Sequence, residues 1–321
     1  MAYYRRILIL TLFTFACLYL FFAVHEIFDR KKAVPAVSPG ADCQVQTYFA
    51  GTGQDVTVYT LTGREKGPTL LIIAGIHGDE KGGYLTADRY NALQMRRGTL
   101  IIVPRLNRTA IERGKRQGLD GDMNRLFHLP DDNQTLRDSR VVNLAKSLIR
   151  KADCVLNLHQ GDGFYSPLWI SKKRNPLKWG QCNVIDAPIF DLPNGEKLEL
   201  ERFARAVAEK TNTKIQDRQY HFLVNNTNTG HRTSRHKEQR MSLTYYALTR
   251  QHKLALGLEA TKNCSQAEAV AFLTVVVNSV MEEMGLSAEK IPSESPAAIQ
   301  AEISAGKKTA ALSSGQDVRP I

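Results

Sequence analysis

The stretch AGIHGDEKGG, residues 74–83, places His77, Asp79 and Glu80 within four positions, fenced by glycines, straight after the apolar run TLLII. His77 and Glu80 stand three apart, which brings two side chains together on a turn or at a helix start. An imidazole nitrogen and a carboxylate oxygen make a hard-to-borderline donor pair suited to zinc. Two donors do not complete a site, and HxxE taken alone also describes an ordinary solvated turn. CVLNLHQGDGFY, residues 154–165, offers a third donor: His159 ends a second apolar run and is followed by Gly161 and Gly163. By itself that histidine is equally well explained by a hydrogen bond at a strand end, but with His77 and Glu80 it completes a set of three. Zinc on three protein ligands with one open position lowers the pKa of water to about 7 and polarises a carbonyl.

Hydrolytic chemistry also needs a base. Glu259, in LALGLEATKN, is an acid at the end of an almost wholly apolar run, where an ionised carboxylate is costly without a partner or a task. A salt bridge to Lys262 is the plain alternative. GDMNRLF supplies Asn124 and Arg125, an amide beside a planar guanidinium fork, the natural pair for gripping a carboxylate with two prongs. In ERGKRQ, Arg113 and Arg116 are placed to polarise a scissile carbonyl or to hold a second anionic group, or else they belong to a solvated face.

These residues must be positioned by a sheet. Apolar runs TLLIIA (69–74), TLIIVP (99–104), CVLNL (154–158), PLWIS (167–171) and KLALGLEA (253–260) alternate with helical-period segments at 81–93, 135–151, 197–211, 242–251 and 266–285. The pattern predicts an α/β fold, a mixed central sheet flanked by helices on both faces. The last helix is the best marked, with Ser265 as N-cap and Glu268 as its capping-box partner. His77, His159 and Glu259 all fall at strand-to-loop junctions, where an open α/β sheet keeps its ligand crevice. The connection at 105–133 reads as long, charged and poor in structure, a length usually reserved for function.

The two ends differ from the middle. Ile7 to Val24 is an uncharged apolar run of 18 residues between Arg5–Arg6 and Arg30–Lys31–Lys32, and at 1.5 Å per residue such a run just crosses a bilayer core of about 30 Å. Residues 1–32 therefore read as a membrane anchor or signal segment, with an uncleaved anchor preferred because the cleavage pattern after Ala23 is poor. From Ser287 the chain turns to Ala, Ser, Pro and Lys, which predicts a flexible tail over 287–321 and a folded domain over 43–286. The net charge of +11 is spread along the chain with no nucleic-acid motif, which disfavours nucleic acid and, with an anchor, points to an acidic polymer outside the cell. The five cysteines form no CxxC pair, which argues against a cysteine zinc site, and a disulfide among Cys43, Cys182 and Cys264 stays open.

Taken in order, GIHGDE, DMNR, NLHQG and GLEATK resemble the motifs of the M14 metallocarboxypeptidase clan, including its succinylglutamate desuccinylase and aspartoacylase relatives, over residues 75–262. The resemblance implies a zinc carboxypeptidase-like fold with zinc on His77, Glu80 and His159. It further implies Glu259 as general base and acid, Asn124 and Arg125 on a terminal carboxylate, and Asp122 as hydrogen-bond partner of a ligand histidine. Arg116 would stand by the oxyanion and Arg113 by the substrate. HQGDGFY, TYYALT and the anchor look most like the bacterial peptidoglycan carboxypeptidases that set helical or curved cell shape, which remove terminal diaminopimelate from a muramyl tripeptide. Some of those enzymes carry glutamine where this chain has His77, and NRLFHLP displaces the family's usual proline. The expected partners are peptidoglycan muropeptides and the inner membrane, the expected location the periplasm, and Asp79 or Asp162 are candidates for an ammonium on the substrate. Two other readings remain: an N-acyl amino acid deacylase, and a non-catalytic cell-wall binding protein. Nothing in the sequence specifies an oligomeric state.

Overall fold

In a computed structural model that describes residues 43–131 and 133–314, with side chains to residue 305, the apolar runs form the middle of one large mixed sheet. Its strands are β1 (Cys43–Tyr48), β2 (Val56–Thr62), β3 (Glu65–Ala74), β4 (Met95–Val103), β5 (Cys154–Gly161), β6 (Cys182–Ile185), β7 (Leu223–Asn226), β8 (Leu254–Thr261) and β9 (Ser287–Ala288). They lie in the order β1-β2-β4-β3-β5-β8-β6-β7, with β9 added on β4. The inner strands β4, β3, β5 and β8 run parallel to one another, whereas β1, β2 and β9 join antiparallel and β6 is antiparallel to β8. The expected anchor over 1–32 lies outside the described residues, among which no helix is long and apolar enough to cross a membrane.

Successive side chains of a strand point to opposite faces, so β3 feeds two cores. Leu70, Ile72 and Ala74 enter one, while Leu71 and Ile73 enter the other. The first core is closed by α1 (Lys81–Asp88), α4 (Leu200–Lys214) and α6 (Gln266–Glu283); the second is closed by α3 (Ser139–Ile149) and α5 (Leu243–Gln251). Helices on both faces of a mixed sheet are the architecture the periodicity predicts. α6 starts at the capping box expected of it, with the Ser265 hydroxyl accepting from Glu268 N and the Glu268 carboxylate accepting from Ser265 N.

Several expectations are corrected. The first helix stops at Asp88 rather than Leu93, and the third starts at Ser139 rather than Thr135. PLWIS forms no sheet strand: Leu168, Trp169 and Ile170 are 71%, 65% and 65% exposed on a loop. An apolar run becomes a strand only when a neighbour supplies its hydrogen bonds, and here Pro167 lacks an N–H and the strand pairing of the run is limited to one bridge between Ser171 and Arg174. The 105–133 connection is not poor in structure, because it holds α2 (Arg108–Arg113) and a 3-10 turn at Met123–Arg125. The compact unit does not end at 286: β9 pairs with β4, Ile299 is buried, and the unit reaches Ala301. A further helix, α7 (Pro296–Ser314), occupies much of the expected tail. Cys43, Cys154, Cys182 and Cys264 are all free.

Candidate metal centre and carboxylate pocket

β5 and β8 pair in parallel with His159 opposite Glu259 and Asn157 opposite Gly257. Val155 and Ala255 belong to the core under α3 and α5. Counting by twos from them puts Asn157, His159, Gly257 and Glu259 on that same face, at the ends where the core gives way to a cavity. The register therefore brings a histidine and an acid 100 residues apart in sequence side by side.

The GIHGDE turn reaches the same place from the end of β3. Gly78 is obligatory there, since a Cβ would fall 1.9 Å from the carbonyl oxygen of Ala110, and its N–H donates to Lys115 O at 2.9 Å. The turn delivers Glu80 as the residue preceding α1 and folds His77 back over it. His77 Nδ1 lies 2.8 Å from Glu80 Oε1, and His159 Nδ1 lies 2.8 Å from Glu80 Oε2. One ligand atom from each of the three lies within 4.8 Å of the others, and all three side chains are buried. The opposite nitrogen of His77, Nε2, is 3.1 Å from Asp122 Oδ1. A histidine held by a carboxylate on one nitrogen, with the other aimed at further donors, is the usual arrangement of a metal-ligating imidazole. Three buried, convergent, oxygen and nitrogen donors fit a divalent cation.

The charges support that reading. Burial would lower the pKa of His77, but Glu80 and the Asp122 hydrogen bond outweigh it and lift it to about 9. The pKa of His159, also buried, is lowered by that burial in spite of Glu80. Glu80 and Asp122 are both held well below the usual carboxylate range, because the histidines, and for Asp122 also Arg116, overcome the cost of burial. The cluster thus keeps an anion at its centre and a proton on His77 where a metal ion would place its own charge.

Arg116 closes the cluster, donating from Nη1 to Glu80 Oε1 at 3.2 Å and from Nη2 to Asp122 Oδ2 at 3.0 Å. Glu259 contributes a different kind of acid. Its Oε2 is buried without a hydrogen-bond partner, and burial together with the nearby negative charge of Glu80 raises its pKa well above the ordinary value. The alternative partner is engaged elsewhere, since Lys262 pairs with Asp79 at 2.8 Å.

Asn124 and Arg125 stand on the 3-10 turn that Asp122 caps, and Asn124 N donates to Asp122 Oδ1 at 2.9 Å. Leu243 N, at the start of α5, donates to Asn124 Oδ1 at 3.0 Å. That bond fixes the amide so that Nδ2, a donor, is the group left for a ligand. His77, Glu80, Arg116, Asn124, Arg125, His159 and Glu259 all line one cavity of about 340 Å³. Arg113 does not join them. Gly114, left-handed at φ 60°, reverses the chain after α2, and Arg113 stays exposed on a separate hollow with Thr109, Glu112 and Arg137. Asp162 is on the cavity wall, whereas Asp79 is not.

Sequence reasoning missed Asn157, Thr244, Trp179 and Glu238, which also line the cavity. Asn157 had a legible sign, a polar residue inside CVLNL two positions before His159; its Oδ1 is buried and unpartnered. Trp179, Glu238 and Thr244 come from a loop, a 3-10 turn and the first turn of α5, and carried none.

Residues 46–303 match the family described as carboxypeptidase controlling helical cell shape, catalytic. The product-bound cell shape determinant protein Csd4 from Helicobacter pylori is 27% identical with a TM-score of 0.71, covering 78% of this chain and 60% of that one. Csd4 has also been solved with a tripeptide and with mDAP, the latter described as a D,L-carboxypeptidase. A succinylglutamate desuccinylase/aspartoacylase from Rhodobacter sphaeroides shares the fold at TM-score 0.50 and 19% identity, over 74% of this chain and 61% of that one. The N-alpha-acetyl-L-2,4-diaminobutyric acid deacetylase of Halomonas elongata is 35% identical over 109 residues, 32% of this chain and 31% of the relative. The chain spans about three fifths of the length of the Csd4 chains it matches.

Proposed function

We propose that this chain, which belongs to the family of carboxypeptidases controlling helical cell shape, is a zinc-dependent carboxypeptidase that removes terminal meso-diaminopimelate from peptidoglycan tripeptide stems. The observation that carries the reading is the single cavity in which a three-donor metal cluster, an unpartnered buried acid and an amide–guanidinium pair face one another. The Csd4 structures with product, tripeptide and mDAP support the choice of substrate.

Zinc held by His77, Glu80 and His159 would supply Lewis acidity to the scissile carbonyl and make water nucleophilic near neutral pH. Glu259 takes the proton of the attacking water and returns it to the leaving amine, a task its buried carboxylate suits. Arg116 places positive charge where the oxyanion develops. Asn124 Nδ2 and the Arg125 fork hold the terminal α-carboxylate, so that the enzyme reads a chain end. Asp122 keeps the Nε2 proton of His77 and leaves Nδ1 for the ion. Asp162 is the acid disposed to meet the distal ammonium of diaminopimelate, since Asp79 is held by Lys262. In this reading the 7–24 segment holds the enzyme on the periplasmic face of the inner membrane.

A second reading, an N-acyl amino acid deacylase, is favoured by the local likeness to the Halomonas deacetylase. The full chain incubated with muramyl tripeptide should release diaminopimelate, detected by mass, with activity lost on chelation and restored by zinc. Hydrolysis of N-acetyl or N-succinyl amino acids with the tripeptide left intact would select the deacylase instead. Binding to sacculi that is indifferent to chelator, without hydrolysis, would select the non-catalytic cell-wall protein.

A further inference from the structure

Three adjacent large apolar side chains, Leu168, Trp169 and Ile170, stand exposed on one loop, and Leu177 at its foot, 61% exposed, lines the cavity. Isolated exposed apolar residues need no explanation, but a contiguous group does. The loop is firmly built. Phe164–Tyr165 pair with Arg174–Asn175, Ile170 N and Ser171 N donate to Arg174 O at 3.0 and 2.9 Å, and Asn175 Nδ2 donates to Ser171 O at 2.9 Å. Arg174 is pinned beneath, over the Phe164 ring at 4.6 Å and bonded to Gln219 O. The backbone therefore holds the apolar tip outward instead of letting it fold onto the protein.

The loop that carries the tip is itself basic, with Asp162 just before it on the cavity wall. From Gly163 to Ile185 the chain carries Lys172, Lys173, Arg174 and Lys178 and no acid. An aromatic ring between aliphatic side chains above a basic collar matches the interface of an anionic bilayer, where tryptophan settles at headgroup level and lysines meet lipid phosphates. A glycan would call for several hydrogen-bonding side chains at the tip, and at 167–170 the Trp169 indole N–H is the single side-chain donor. We propose that the 166–173 loop docks on an anionic lipid surface, the side chains of Leu168, Trp169 and Ile170 entering the headgroup region and Lys172 and Lys173 meeting phosphates. Leu177 and Lys178 line the cavity, so docking brings its mouth to the lipid surface. This inference does not depend on the reaction the cavity performs.

The chain has two tryptophans, Trp169 and Trp179, so Trp179→Phe leaves Trp169 as the sole reporter. The full-length variant is reconstituted into vesicles of phosphatidylcholine with or without phosphatidylglycerol, including acyl chains brominated near the headgroup. With phosphatidylglycerol, Trp169 emission should move to shorter wavelength and be quenched by the brominated lipid. Both effects should weaken about tenfold or more in lipid titrations of Lys172→Glu/Lys173→Glu, since each lysine removed weakens attraction and each glutamate adds repulsion. Should Trp179→Phe fail to fold, the same signal is read as the difference between the parent chain and Trp169→Phe. Unchanged emission with anionic vesicles overturns the proposal. So does equal quenching with and without phosphatidylglycerol, or a shift that needs muropeptide or scales with protein concentration.

Discussion

Asp138, a buried acid, and Glu259, a half-buried one whose Oε2 is closed off from solvent, both lie beside the long connection that follows β4, yet their surroundings are opposites. Asp138 Oδ2 accepts from Leu119 N and Asp120 N, each at 3.0 Å, and its Oδ1 accepts from Gln54 Nε2 at 2.9 Å. Asp120 returns the bond by accepting from Asp138 N at 2.7 Å. Every donor to the Asp138 carboxylate there is an amide that neither titrates nor leaves. Around Glu259 the neighbours are His77, Glu80, His159 and Arg116, all ionisable, and Glu259 Oε2 and Asn157 Oδ1 have no partner at all. A buried polar group without a partner costs about 1–3 kcal/mol. Thr211 and Asn183 carry such atoms away from the cavity, but two of them facing a cluster of metal donors in one cavity mark a site, so the first cluster is scaffold and the second is site.

The sharpest way to break that contrast is Glu259→Gln. The glutamine keeps the volume and removes only the proton-carrying group, so release of diaminopimelate should fall about a thousandfold or more, within what a general base contributes together with its coupled residues. Stability should hold or rise, because the raised pKa of Glu259 marks an acid that the folded state prefers neutral. Thermal unfolding at pH 7 reads this, and a variant that unfolds earlier while keeping activity would reverse the assignment.

Arg125→Ala comes next. Removing one prong from a terminal carboxylate should raise KM about a hundredfold on tripeptide, of the order of a lost charge-assisted pair. A substrate with an amidated end should gain nothing from the native arginine, and equal losses on both would place Arg125 in the scaffold.

The third effect is smaller and tests the ionisable character of the site directly. Burial opposes a charge on His77, but Glu80 and Asp122 hold its pKa at about 9 in the metal-free cluster. Below that pH an incoming ion must displace a proton, so affinity should rise with pH, about tenfold per unit up to the pKa of His77. Calorimetry at pH 7 in two buffers of different ionisation enthalpy should show about one proton released per ion. No proton release would mean that His77 is already neutral.

The same contrast explains what the sequence disclosed. His159 and Glu259 were legible because each breaks an apolar run at a strand end, with period-two counting in β5 and β8 fixing their common face, and His77 and Glu80 because they stand three apart on the glycine-fenced turn after β3. Asp122, Asn124 and Arg125 follow one another on a single turn and travel together. Arg113 and Arg116 looked equivalent, because the separation depends on one left-handed glycine between them. PLWIS was misread because hydrophobicity reports a wish for a dry surface and not which surface supplies it. β9 escaped notice because Ser287 and Ala288 have no strand preference of their own and pair only because the start of β4, Met95–Arg97, extends beyond its pairing with β2.

Asp138→Ala is the counterpart of the first substitution, with the smallest effect on turnover. It strips three donors, Leu119 N, Asp120 N and Gln54 Nε2, of their acceptor at a position with no solvent exposure. Leaving buried donors unpaired should cost about 2–4 kcal/mol of stability, read as an earlier urea midpoint. The pocket residues are fixed by other bonds: Arg116 by Glu80 and Asp122, Asn124 by Leu243, His77 by the Gly78 turn. Activity per folded molecule should therefore stay within about threefold, the mirror image of a variant that keeps its fold and loses its chemistry. A large loss of kcat with an unchanged urea midpoint would show that the Asp138 cluster belongs to the site, and that amide partners alone do not mark a scaffold.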